Sequence, residues 1–238
     1  MRRLLTGKLW LLVFVLAGLL VGNTLALAGD NFVADYKFYV SPRDGVVLFA
    51  NQGSVTAVNP RSSGFASQDS ISNAAIGAIA LGYRPLNSLR LELEGSMQTK
   101  LGFHDNLNLS GGISTNTIEV NNSALFMKGY YDFKVHRCVN PFLTAGLGWS
   151  RNESKGTQTY SGDSSWNTNW QTTSTDNLGW LVGAGVAWAL HERVIFDLSY
   201  EYRDLGEWKL SNLPATGDES MKGRLTGHIL FVGLRGNF

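Results

Sequence analysis

Apolar residues recur at every second position through most of the chain from about residue 74 onward. Between Leu89 and Gln98, leucine and methionine alternate with Arg, Glu, Ser and Gln, and Val194–Arg203 divides in the same way. A period of two indicates β-strands, because successive side chains of a strand point to opposite faces. Weaker versions of the pattern occupy five further segments: 74–84, 124–134, 141–150, 178–190 and 225–238. The alternation therefore predicts seven strands.

An eighth strand is expected before residue 52. Both Tyr36–Val40 and Val46–Ala50 have strand-like composition, and Ser41-Pro42-Arg43-Asp44 is expected to interrupt them. The sequence leaves open which of the two segments forms the strand.

The connections between these strands alternate in length. Residues 85–88, 135–140 and 191–192 are short, whereas the other four are long and rich in Ser, Asn, Thr and Gly: 52–73, 101–122, 151–177 and 204–224. Short turns on one side and long loops on the other are typical of bacterial outer-membrane barrels. The predicted fold is all-β, an eight-stranded antiparallel up-and-down transmembrane β-barrel.

A soluble β-sandwich also alternates, so the direction of the apolar face needs its own argument. Aromatic residues on the apolar faces concentrate near strand ends, where rings suit a membrane interface. The polar faces carry charges of both signs, which a narrow lumen tolerates only as pairs. The alternative is a solvated sheet face with incidental charges. The predicted lumen ionic network is Arg90, Glu92, Glu94, Lys128, Asp132, Asp197, Glu201, Arg203 and Arg235.

One strand register would pair these charges between 89–100 and 124–134. If paired residue numbers sum to 222, Arg90 lies opposite Asp132 and Glu94 lies opposite Lys128. The same register places Leu91 opposite Tyr131 and Leu89 opposite Phe133.

The chain finishes with an alternating apolar strand, and here it resembles the small outer-membrane β-barrel superfamily, the opacity-protein and OmpA-type barrels. Residues 228–238 are similar to the C-terminal strand of that family, 196–206 to the strand before it, and 141–148 to a middle strand. The resemblance implies that the barrel-assembly machinery reads the last strand, and that the protein contacts outer-membrane lipid and lipopolysaccharide. It implies no catalytic motif. The residues expected to form the assembly signal are Leu230, Val232, Leu234 and Phe238.

The first 28 residues are typical of a cleaved secretory signal peptide, with a basic start, an apolar stretch at 9–21 and the cleavage site Ala26-Leu27-Ala28. A retained anchor is the alternative, but the stretch is shorter than the ~20 apolar residues that span a bilayer. Cleavage leaves one domain, 29–238, with 17 Lys and Arg against 19 Asp and Glu. That balance argues against nucleic-acid binding. The single Cys138 excludes an internal disulfide.

No cluster of residues predicts catalysis, a metal or a cofactor. His136 and Cys138 are the only close pair of metal-binding residue types, and a structural site normally needs four ligands. Glu92 and Glu94 could suggest acid-base chemistry, but lumen packing explains them as well. His228 is expected to face lipid without the His-x-Ser pattern of barrel deacylases.

The expected function is therefore a structural or adhesin-like surface role, with a possible host or cell-surface ligand. A narrow porin-like channel is the first alternative, and a lipid-A-modifying enzyme or protease the second. Tyr160, Trp166 and Trp170, set among polar residues, are candidate loop contacts. A variable loop without a ligand is equally compatible with that composition.

Overall fold

The computed structural model describes residues 36–51, 56–58, 70–71, 74–109, 112–135, 138–162, 167–211 and 220–238. The predicted signal peptide, 1–28, lies outside the described residues. No helix within the described ranges is long and apolar enough to cross a membrane. The strands are β1 Phe38–Asn51, β2 Thr56–Val58, β3 Ser70–Ile71, β4 Ala75–Leu86, β5 Leu89–Leu109, β6 Gly112–Asp132, β7 Val139–Tyr160, β8 Thr168–His191, β9 Val194–Ser211 and β10 Ser220–Asn237.

The eight long strands of the described ranges form a closed antiparallel ring. Each of β4 to β9 pairs with the next one along the chain, and β1 pairs with both β4 and β10. The two short strands are additions at the rim, β2 on β10 and β3 on β5. The ring confirms the predicted eight-stranded antiparallel barrel.

The first strand is continuous, so the predicted interruption at Ser41–Asp44 is wrong. Pro42 pairs with Ile79 of β4. The ladder to β10 passes from Val40 to Arg43 without Ser41 or Pro42, and resumes in the same register. Proline lacks an amide N–H and cannot donate to a ladder, but strong pairing on both sides holds the strand through this gap. Both segments that were offered as alternatives therefore belong largely to one strand.

The outward face of the barrel is apolar over a broad band. Leu93, Met127 and Leu147 are 48%, 69% and 63% exposed, whereas the inward-facing Glu94 and Lys128 are 0% exposed. Aromatic rings such as Tyr83, Trp149 and Trp188 lie on the same outward face. A hydrocarbon-facing surface requires this arrangement, and a water-soluble barrel would not tolerate it.

Toward the end that carries the long connections, the polarity of the two faces reverses. The interior there holds buried apolar side chains, including Leu101, Val120, Trp208 and Leu210. The outward face carries Lys100, Glu119 and other charged residues instead of leucine. We call this part of the barrel, whose outside is polar and whose inside is apolar, the extension. Its clearest sections are Ile118–Val120 of β6 and Trp208–Leu210 of β9.

The extension explains why three predicted long loops are wrong. Most of 101–122, 151–177 and 204–224 is strand, and only 110–111, 163–166 and 212–219 within them lie outside the described residues. A prediction that expects apolar side chains on the outward face takes a strand with a polar outward face for a loop. β6, β7 and β8 have 21, 22 and 24 residues, about twice the 9–11 that cross a bilayer.

Strand β9 bends into the interior where the extension begins. Asp204, Leu205 and Gly206 are all buried, and Gly206 has a φ of 80°, which favours glycine. The Leu205 carbonyl accepts from Ser150 Oγ at 3.0 Å and from Asn152 Nδ2 at 2.9 Å. Both donors are inward-facing side chains of β7, which is not a neighbour of β9 in the ring. The bend therefore narrows the barrel from within.

Candidate functional site

The interior of the apolar band holds a cluster of ionised side chains from five strands. Alternation along β1, β5, β6, β9 and β10 turns every second residue inward, and charged residues occupy those positions within the apolar band. Nearly all of them are fully buried, Asp132 being the partly exposed member. The cluster consists of five cations, Arg43, Arg90, Lys128, Arg203 and Arg235, and five anions, Glu92, Glu94, Asp132, Asp197 and Glu201.

Glu94 is at the centre of this lumen network. Its carboxylate accepts from Arg203 Nη2 at 2.6 Å, from Lys128 Nζ at 2.9 Å and from Arg43 Nη1 at 3.0 Å. Lys128 and Arg203 also share Glu201, at 2.6 and 2.7 Å. Two carboxylates and three cations are therefore in direct contact, and the third cation, Arg43, is also paired with Glu92.

A second group lies toward the end with the short turns. Arg43 donates to both oxygens of Glu92, and Tyr39 donates its hydroxyl to Glu92 Oε1 at 2.8 Å. Arg90 forms a two-bond pair with Asp132, at 2.7 and 2.8 Å, and lies 4.3 Å from the centre of the Tyr130 ring. Planar guanidinium groups suit such two-bond and ring-stacked contacts.

Asp197 and Arg235 form a further pair in this group. Arg235 donates from Nε at 3.1 Å and from Nη2 at 2.6 Å to the two carboxylate oxygens of Asp197. All nine residues of the predicted lumen network thus face the interior, and each has an oppositely charged partner there.

The predicted register between β5 and β6 is wrong by two residues. Arg90 lies opposite Tyr130, and Glu94 lies opposite Phe126. Leu89, rather than Leu91, is opposite Tyr131. The ion pairs that suggested the register nevertheless exist, because long side chains reach a diagonal neighbour as easily as the residue directly across.

One charged member of the cluster, Arg43, and two tyrosines that bond to the cluster, Tyr39 and Tyr130, were missed in the sequence. Arg43 was assigned to an interruption, although Tyr39, Ser41 and Arg43 alternate and all three face inward. Tyr130 accepts from Arg43 Nη1 at 2.6 Å. The alternation of Tyr39 and Arg43 across Pro42 was the available signal.

The structure places the three candidate loop contacts differently. For Trp170 the prediction of a loop contact is wrong, because this residue lies in β8, is 7% exposed and packs in the apolar interior of the extension. It pairs with Gly156, so both its backbone and its ring are part of the wall and core. Tyr160 ends β7, half-buried, with its backbone N–H bonded to Asn167 Oδ1 at 2.8 Å. Trp166 lies outside the described residues.

The residues predicted as an assembly signal share the outward face of β10. Val232 and Phe238 are 44% and 67% exposed, and Leu230 and Leu234 are half-exposed between them. His228 follows on the same face, with its Nδ1 at 2.5 Å from the Tyr200 hydroxyl and its ring 5.0 Å from that of Tyr202. These contacts place His228 in an aromatic group on the barrel surface.

A metal site needs several ligands that converge. No group of three or more His, Cys, Asp or Glu side chains with metal-binding geometry occurs within the parts of the chain that the structure describes. Cys138 is exposed, and His136 lies outside those parts.

Comparison with known proteins places this barrel in a family. The outer membrane protein beta-barrel domain family matches residues 14–238. The chain belongs to that family. Its location in the outer membrane and its resemblance to small outer-membrane barrels are thereby confirmed, and the end with the short turns is the one that faces the periplasm in such barrels.

Individual relatives agree on the architecture. The chain is 26% identical over 217 residues to the outer membrane protein PagN of Salmonella typhimurium, which covers 83% of this chain and 90% of PagN. OprG of Pseudomonas aeruginosa matches with a TM-score of 0.57 and 12% identity, over 88% of this chain and 99% of OprG. A major outer membrane protein of Thermus thermophilus matches with a TM-score of 0.50 and 15% identity, over 86% of this chain and 100% of that protein. The two structures establish similarity of fold alone.

Proposed function

We propose that the protein is a non-enzymatic surface protein of the outer membrane, which contributes to envelope integrity or to attachment through the segments that connect its extended strands. The observation that carries this proposal is a lumen filled at successive heights. The ionic network comes first, the inward bend of β9 lies above it, and the apolar interior of the extension follows.

The filled lumen favours this role over that of a solute channel. Each charge of the network is paired, and removing a paired charge from such a site costs several kcal/mol. A permeating ion would have to displace these contacts and then cross buried residues such as Leu101 and Trp208. In an eight-stranded barrel, side chains are enough to fill the interior.

The extension supports a role at a distance from the membrane. Arg151–Tyr160 continues β7 beyond the outward-facing Trp149. Ten residues of strand span ~33 Å, and at a tilt of ~40° they rise ~25 Å from the membrane surface. A paired, apolar-filled wall holds the connecting segments at that height, among the sugars of lipopolysaccharide.

Planar-bilayer recording tests the choice between surface protein and channel. The purified, folded barrel is expected to give no stable unitary currents. Asn152→Ala and Glu94→Gln barrels, recorded in parallel, show whether loosening the interior creates conductance. Large, stable currents from the unaltered protein would contradict the proposal and support the porin-like alternative.

Attachment is tested by exchanging the connection between β7 and β8. Residues 161–167 are replaced by a Gly- and Ser-rich segment of equal length in a barrel displayed on a non-adherent Gram-negative host. Deleting 152–176 would instead remove paired strands and the wall of the extension. Attachment should fall, and Tyr160→Ala combined with Trp166→Ala should reproduce part of the loss. Equal attachment by cells with and without the unaltered barrel would contradict the adhesive role.

The outward residues of β10 support a second element of the proposal, recognition by the barrel-assembly machinery. Phe238→Ser should lower the fraction of assembled barrel in cells but leave refolding of the purified chain into detergent unchanged. Leu190→Ser, an exposed apolar position on β8, is the matched control. Equal losses in both variants would indicate a general lipid-facing effect.

A further inference from the structure

The barrel has a small cavity at the mouth of the end with the short turns, below the ionic network. Its volume is about 50 Å³, room for a few heavy atoms when one water occupies ~10–15 Å³ by this measure. The cavity is lined by residues of six strands, β4 and β6 to β10, and of their turns, and its polar and charged residues include Arg84, Asp132, Lys134, Glu192, Arg235 and Asn237.

Arg84 is the unusual residue of this cavity. It continues the inward-facing series of β4, and its Nε is buried without a hydrogen-bond partner among the described residues. A buried donor of a charged group that has lost water without gaining a partner destabilises the fold. A bound group that accepts a hydrogen bond would remove that cost.

The charges around Arg84 leave positive charge unpaired at the mouth. Asp132 is engaged by Arg90, and Arg235 is engaged by Asp197. Lys134 forms no ion pair within the described part of the chain, so Arg84 and Lys134 together face a single further acid, Glu192. The local excess of charge therefore favours an anion.

The cavity also offers an acceptor. Asn237 Oδ1 is buried and has no hydrogen-bond partner in the described structure. A group that carries an oxyanion and, beside it, an N–H or O–H would satisfy both Arg84 and Asn237. A carboxylate next to an amide and a monoprotonated phosphate both have this chemistry.

We propose that this mouth binds a carboxylate or phosphate group of a periplasmic molecule, with Arg84 as the main donor, Lys134 as a supporting cation and Asn237 as the acceptor. The site is separate from the extension and from the proposed attachment role. It would give the barrel a ligand on the side of the membrane opposite to its connecting segments.

The experiment uses the isotope-labelled mature chain, folded in detergent micelles, and follows the Arg84 Nε–H and Asn237 side-chain amide signals by NMR. Three probes are titrated at constant ionic strength: N-acetylglycine, inorganic phosphate, and N-acetylglycinamide as the uncharged match. We expect a saturable shift of both signals with at least one anion and none with the amide. Saturation by N-acetylglycine alone assigns a carboxylate, and saturation by phosphate alone assigns a phosphate.

Variants distinguish a built site from general attraction. Arg84→Gln should raise the dissociation constant at least about tenfold, and Lys134→Gln by about threefold. Lys209→Gln removes an exposed cation of β9 at the other end of the barrel and should change nothing. Because Lys134 is exposed, its variant keeps the test available if Arg84→Gln does not fold. Unsaturated shifts, an equal response to N-acetylglycinamide, or equal effects of all three variants would overturn the proposal.

Discussion

Lys128 Nζ donates to Glu94 Oε2 at 2.9 Å, although Glu94 lies opposite Phe126 and Lys128 lies opposite Glu92 in the sheet. The contact is a diagonal one, and it leaves space for Arg43 and Arg203 to reach the same carboxylate from β1 and β9. Glu94, on β5, thus binds side chains of three other strands, β1, β6 and β9, and only β6 is a neighbour of β5 in the ring.

Neutralising Glu94 should destabilise the barrel strongly. Glu94→Gln removes the negative charge that three buried cations share. Breaking a buried ion pair by removing one partner costs ~3–5 kcal/mol. Urea unfolding of the barrel in micelles, followed by tryptophan fluorescence, measures the loss. Glu119→Gln removes a partly exposed carboxylate that is paired with two lysines, and should cost at most ~1 kcal/mol. Equal losses would show that burial of the network adds nothing.

Gly82 allows the Tyr39 ring to lie against the wall. A Cβ at residue 82 would come within 2.0 Å of the Tyr39 ring, whose hydroxyl is bonded to Glu92. Gly82→Ala should therefore cost ~1–3 kcal/mol through overpacking, measured in the same urea assay. Gly95→Ala, on the adjacent strand β5, meets nothing within 4 Å and serves as the control. A neutral Gly82→Ala barrel would mean that Tyr39 has another position available.

Asn152 holds β9 inside the barrel. Its Nδ2 donates to the carbonyls of Leu205 at 2.9 Å and Glu207 at 3.0 Å. Asn152→Ala leaves both carbonyls without this donor, so we expect a loss of ~1–3 kcal/mol and faster hydrogen exchange at residues 204–208. Glu153→Ala changes the next, outward-facing residue and should leave exchange there unchanged. If exchange is equally slow in both variants, the bend does not depend on Asn152.

The extension should lose its order when its interior is made polar. Val120 is 0% exposed, and Val120→Asp places an unpaired charge among apolar side chains, which is costly. Trypsin should then cut at Arg151 or Lys155, while the membrane-embedded half stays intact. The matched variant Asn121→Asp adds the same charge to the outward face and should resist cleavage. Resistance of both variants would contradict the stabilising role of the apolar interior.

Acid should weaken the extension through Glu119. The ammonium of Lys100, hydrogen-bonded at 2.9 Å, and that of Lys155 hold the pKa of Glu119 below its ordinary value. A carboxyl with a lowered folded pKa stabilises above its unfolded pKa of ~4.3, and this contribution is lost as the pH falls through the folded value. The stability difference between the unaltered protein and Glu119→Gln should be complete at pH 7 and should decline as the pH falls below the unfolded pKa of ~4.3. A difference that does not decline with acidification would exclude the titration of Glu119 as its source.

The sequence predicted the strands of the apolar band well, because a single rule applies along each of them: apolar side chains face lipid and polar or charged side chains face the lumen. Between Leu89 and Gln98, each leucine or methionine faces out, and each Arg, Glu or Gln faces in. The same rule predicts nine charged residues for the lumen, and the structure turns all nine inward. The two-residue register error arose since alternation fixes the face of a side chain and not its height along the axis.

The extension and β1 were missed for different physical reasons. Around Val120 and Leu210 the buried residues are apolar, so the expected pattern appears reversed and the outward polar residues suggest a loop. In β1, Pro42 suggested a break, but two flanking strands compensate for its missing donor. Trp170 shows the effect of this error, because a ring placed in a loop is a contact candidate, whereas the same ring in β8 fills the core.

Along the barrel axis, the interior holds first charged side chains, then amide side chains and then apolar side chains. This order specifies the register of the strands. A slide of one strand by two residues keeps every side chain on its original face, so alternation alone would permit it. In this barrel, the slide would carry Lys128 to the height of Phe126, or Asn122 to that of Val120. The layers of the interior thus favour one strand register among several that the alternation of faces alone cannot distinguish.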